Sequence, residues 1–110
     1  MIARQEGQVV GYAMSRPGAR AWHLGPLAAD TPETANSLVQ ATLAAATAPA
    51  GGDNPPELLM DAIMPNPAAV RLAQSLGLTL VRPFIRMTRG APPPPIDAAR
   101  LYTSAGPELG

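Results

Sequence analysis

The chain has 110 residues, 46% hydrophobic but only 4% aromatic, which leaves room for one domain with a modest, aliphatic core. Eight basic and eight acidic residues cancel, which argues against a nucleic-acid surface, and one His with no Cys argues against a disulfide framework or a metal centre. All the basic residues are Arg, which together with 14 Pro and abundant Ala points to a GC-rich bacterial coding bias. Arg4 and Glu6 interrupt the start, so no secretory signal is expected. The uncharged stretch 34–52 lacks sustained bulky hydrophobics and contains Asn36, Gln40 and Pro49, so no membrane span is expected and a cytoplasmic protein is.

Residues 1–30 read as a β-meander. Gln5-Glu6-Gly7-Gln8 suits a turn, Val10, Tyr12 and Met14 alternate with Val9, Gly11 and Ala13, and Arg16-Pro17-Gly18 suits a second turn. The next strand, from about Ala21 to Ala29, contains Gly25-Pro26, which predicts a bulge because Pro cannot donate to a ladder. Thr31-Pro32-Glu33 opens a helix with Ala35, Leu38, Val39, Leu43 and Ala46 on its inward face and Thr42 placed to bond back to a carbonyl. A loop at 49–56 leads to a short apolar run, Glu57 to Ala62, expected as a buried central strand. Asn66 caps a second helix, Pro67 occupies its first position, Ala69, Leu72, Ala73 and Leu76 share a face, and Gly77 stops it. A strand bent at Pro83 is predicted from Leu78 to about Arg89, then a Pro-rich spacer, then a last short strand from Arg100 to Ser104.

The arrangement of apolar strand, Asn66-Pro67, helix, Gly77-Leu78 and apolar strand resembles the C-terminal motif of the GNAT N-acetyltransferases. The ending Arg86-Met87, Arg89-Gly90, a Pro-rich spacer and Ala105-Gly106-Pro107-Glu108-Leu109-Gly110 resembles the second unit of a tandem-GNAT subgroup. The fold class implied is α+β: a GNAT-like partial fold in which a β-meander precedes a β-α-β-α-β mixed sheet with two main helices. Residues 1–90 would form the GNAT-like C-terminal core, and 91–110 a Pro-rich spacer and a segment completing the sheet.

That resemblance implies acyl transfer from acetyl-CoA, as co-substrate, to an amine on a small molecule or peptide, without metal. The alternative is a non-catalytic accessory or oligomerisation half-domain that keeps the fold without a working cofactor site. By position, the backbone of Leu27, Ala28 and Ala29 would hold the pantetheine arm, and the amides of Thr34, Ala35 and Asn36 the pyrophosphate. The loop there, Asp30 to Asn36, has no Gly, and Pro32 removes a donor. Asn66 is open to two roles, helix cap and ligand of the arm. His23 is either a proton relay for the amine or a strand histidine paired with backbone; Asp61 is either a base or cation ligand or a turn residue. Ala73 stands where the family often has a Tyr acid. The expected partner is a second copy or an N-terminal GNAT unit, because the open edge and apolar face left by the partial fold need cover.

Overall fold

The computed structural model of the chain describes residues 1–18, 20–47, 57–85, 87–92, 94 and 97–105. The predicted loop at 49–56, Arg86 and the motif residues 106–110 lie outside them. Strands β1 (Ile2–Gln5) and β2 (Gln8–Pro17) form a hairpin closed at Gln5 and Gln8. Its two turn residues, Glu6 at φ 52° and Gly7 at φ 79°, take the left-handed conformation that matches the twist of a two-residue hairpin. β3 (Trp22–Ala29) pairs antiparallel with β2, α1 (Pro32–Thr47) crosses over, and β4 (Leu58–Met60) returns parallel to β3. After α2 (Pro67–Ser75), β5 (Leu101–Thr103) adds antiparallel to the far half of β3. The result is a mixed α+β fold with a five-stranded sheet in the order β1-β2-β3-β4, β5 branching from β3.

The bulge sits at Gly25-Pro26. Ala13 pairs with Leu27 and Ser15 with Leu24, so two residues of β3 oppose the single Met14. The extra residue resets the alternation, which places Leu24 and Leu27 in the same core rather than on opposite faces. That core joins them to Ala13, Ala29, Ala35, Leu38, Val39, Ala69, Leu72 and Tyr102, all buried. The small residues of β2 face α1 because the helix lies close: a Cβ at Gly11 would come within 2.9 Å of Leu38 Cδ1. Thr42 Oγ1 donates to the Leu38 carbonyl at 2.6 Å, so its hydroxyl needs no other partner in the core.

The local signals at α2 act as the sequence predicts. Asn66 accepts from Ala68 N–H at 3.0 Å, and Gly77 at φ 76° ends the helix. The Leu78 and Gly77 N–H groups then satisfy the carbonyls of Ala73 and Gln74 in a Schellman closure.

Two expectations differ. The segment 78–89 forms no strand among its described residues; Leu80, Val81, Phe84, Ile85 and Met87 are exposed. Pro83 removes a donor from its middle, and the remaining edge of β3 is already taken by β5. β4 is an edge strand rather than a central one. Within the described sheet it pairs only with β3, and Leu59 is exposed on the face away from the helices. Ile2, Tyr12 and Met14 are exposed too, and none of them belongs to the core beneath the helices.

Candidate active site

β3 and β4 run in register from Trp22–Leu58 to Leu24–Met60; the bulge then turns β3 away from the chain that follows β4. Such splaying opens a V between two strands, with unpaired backbone on both arms. Here the V is filled. Leu27 pairs with Thr103 and Ala28 with Leu101, and Ala29 N–H donates to the Arg100 carbonyl at 2.9 Å. On the other arm, Ile63 N–H donates to the Tyr102 carbonyl at 2.9 Å, Ser104 N–H donates to the Asp61 carbonyl at 3.2 Å, and Ala62 bridges Thr103. One extended segment, Arg100 to Ser104, thus satisfies the backbone of both arms. Gly25 is what lets it approach: a Cβ there would lie 2.1 Å from the Ser104 carbonyl oxygen.

Asn66, buried at 3% exposure, fastens the same segment. While its Oδ1 caps α2, its Nδ2 donates to the Leu101 carbonyl at 3.1 Å. Beside it the Tyr102 ring is buried against both helices, at the floor of a cavity of about 350 Å³ that Pro32, Asn36, Arg71 and Ser75 help to line. Burial pushes the Tyr102 hydroxyl pKa above its usual 10, and the Glu33 carboxylate adds to the rise; Arg71 and the hydrogen bond with Asn66 oppose it.

At the N-terminus of α1, Thr34 N–H donates to Thr31 Oγ1 at 3.2 Å and Ala35 N–H to the Thr31 carbonyl at 3.0 Å. Two of the three amides singled out for a phosphate are therefore satisfied within the helix, Pro32 has none, and Glu33 adds negative charge in the first turn. The backbone edge where an arm would lie, the Asn66 side-chain amide and the Thr34 and Ala35 amides thus all have partners from the chain itself.

On the other side of the sheet, the structure brings His23 and Asp61 together. They are 38 positions apart, yet the parallel register that sets His23 beside Leu59 carries Asp61 within reach, and His23 Nε2 lies 3.0 Å from Asp61 Oδ2. Their side chains are 13% and 22% exposed. A carboxylate at Asp61 accepts from a proton on Nε2, which leaves Nδ1 as the second ring nitrogen. Nδ1 is buried with no hydrogen-bond partner. A shallow cavity of about 340 Å³, to which Arg16, Arg20 and Leu59 also contribute, adjoins the imidazole. An imidazole oriented by a carboxylate is the pairing that proton transfer uses, and here its second nitrogen is buried rather than open to the cavity.

Sequence reasoning gave neither Tyr102 nor Gly25 its place at this segment. Each acts through contacts with segments remote in sequence, and only the Gly25-Pro26 pair carried a signal, as a bulge. Ala73 is half-buried on α2 and brings no acid. Among the described residues no group of three or more His, Cys, Asp or Glu could hold a metal, and no helix is long and apolar enough to cross a membrane.

The chain belongs to the acetyltransferase (GNAT) family: the Acetyltransferase (GNAT) domain matches residues 1–103. Searches of curated proteins and of solved structures gave no significant match.

Proposed function

We propose that this chain is a non-catalytic accessory unit of the acetyltransferase family, one that keeps the fold while its own strand β5 replaces the arm of the cofactor. The observation that carries this reading is the pairing of Arg100 to Ser104 with both arms of the V. A pantetheine arm would have to displace hydrogen bonds on both sides of that segment, each with the desolvation cost of a part-buried group behind it. The α1 N-terminus offers a pyrophosphate little in compensation. Calorimetric titration tests the reading directly. Acetyl-CoA should give no saturable binding up to about 1 mM, equivalent to about −4 kcal/mol or weaker. A saturable isotherm in the low micromolar range would refute it.

The His23–Asp61 pair favours a second reading, an N-acetyltransferase in which His23 takes a proton from an amine acceptor, oriented by Asp61. Acetyl transfer to a panel of small and peptide amines, lost by ~10²-fold or more in His23→Ala, would support it. No turnover by the parent chain would exclude it.

A further inference from the structure

The sheet ends at the β2–β3 turn in a corner rich in cations. Arg16 and His23 are register partners across β2 and β3, and His23 and Leu59 across β3 and β4, so the three side chains share one face of the sheet. Beyond them the turn is closed by Gly18 N–H donating to the Ala21 carbonyl at 2.8 Å, which brings Arg20 round to the same end. Arg16, Arg20 and His23 thus meet at the cavity of about 340 Å³, and Pro17, Ala21 and Leu59 supply its apolar wall. The Arg16 guanidinium is held by a long bond, 3.4 Å, from Nη2 to the Ala105 carbonyl. Arg20 is exposed and forms no ion pair among the described residues. The carboxylate bonded into this corner, Asp61, is engaged by His23 Nε2 at 3.0 Å.

We propose that this cavity binds a monocarboxylate carrying an apolar group, its carboxylate taken by Arg20 with Arg16 beside it and its apolar group laid on Leu59. A guanidinium presents parallel N–H donors in the geometry that a carboxylate accepts. One exposed arginine would be an ordinary solvated residue. A second guanidinium and an apolar wall at the same cavity give an anion both charge and a surface to bury, in a volume at the lower end of small-ligand sites. One negative charge suits it better than two: attraction to the guanidinia doubles for a dianion, but the cost of desolvation against an apolar wall rises with the square of the charge. The same chemistry occurs in a free acylated amino acid and at the C-terminal residue of a peptide. The inference goes beyond both readings above, since a carboxylate can bind here whether or not acetyl-CoA binds elsewhere.

Titration of the full chain with N-acetyl-leucine, followed by amide NMR, tests the proposal. Saturable shifts are expected at Arg20, Ala21 and Leu59, with a Kd on the order of 1 mM, as suits a shallow site and a ligand of about a dozen non-hydrogen atoms. N-acetyl-leucinamide, which lacks the charge, should not saturate the same residues. Arg20→Gln should bind the acid at least ~5-fold more weakly; the side chain is exposed, so the variant keeps the parent's amide spectrum elsewhere and its thermal midpoint. A tripeptide ending in leucine is the second arm, and whichever of the two acids binds more tightly names the source of the carboxylate. Absence of saturation by either acid, shifts confined to other parts of the chain, an amide that binds as well as the acid, or R20Q equal to the parent overturns the proposal.

Discussion

Replacing Asn66 by alanine removes the cap on Ala68 N–H at 3.0 Å and the donor to the Leu101 carbonyl at 3.1 Å, besides the hydrogen bond with the Tyr102 hydroxyl. Loss of such a cap costs about 1 kcal/mol. A part-buried carbonyl left without its donor costs ~1–3 kcal/mol. The total, about 2–4 kcal/mol, lowers Tm by roughly 8–16 °C in a domain of this size, at ~4 °C per kcal/mol. Asn66→Asp separates the two bonds. A carboxylate still accepts from Ala68 but cannot donate to Leu101, so N66D should lose the strand's share and keep the cap. Thermal unfolding by circular dichroism at one protein concentration measures both variants, because any assembly makes Tm depend on concentration. Amide exchange at Ala29, whose N–H is bonded to Arg100, reports whether the strand has left the groove. N66D with the parent's Tm and undiminished protection at Ala29 would show that Asn66 does not hold β5, and the reasoning would fall.

Gly25→Ala should be more damaging than its size suggests, because the new methyl meets the Ser104 carbonyl at 2.1 Å and the Thr103 hydroxyl at 2.8 Å, and φ 154° is one that L side chains rarely adopt. We expect a loss of ~1–3 kcal/mol or more and faster exchange at Ala29 and Ile63 together; protection lost at neither amide would contradict the close approach. The raised pKa of Tyr102 has a defined sign. Its neutral phenol is the form the fold favours, so the stabilisation is complete below the unfolded pKa near 10 and is lost as pH rises through the higher folded value. Tm should therefore fall in strongly alkaline solution by a component missing from Tyr102→Phe; an identical decline in that variant would dismiss the link.

What the sequence disclosed is what neighbours in sequence decide. Asn66-Pro67 and Gly77 punctuate α2 because caps are satisfied within a few residues, and the Gly25-Pro26 bulge follows from a missing donor beside a residue without a side chain. The alternation of Leu78 and Leu80 looks the same whether or not a strand finds a partner, and nothing local reveals that β5 has taken the available edge. His23 and Asp61 could each be singled out by residue type, but their 3.0 Å contact depends on a parallel register set across a whole helical crossover. Asn66 was legible as a cap and not as a tether to Leu101, since the second bond reaches a segment 35 positions away.

The sheet's central strand also dictates an order of assembly. β3 can pair with β2 as soon as a short turn closes, but its other edge is completed by β4 and β5, which come from far down the chain. Loop closure over such separations is slow. The hairpin half of the molecule should therefore form early and wait, with Leu27 to Ala29 offering bare amides and carbonyls to any extended chain nearby. During that interval Leu80, Val81 and Ile85 are exposed as well. In a crowded refolding mixture the yield of folded chain should thus drop with protein concentration more steeply than its final stability would suggest.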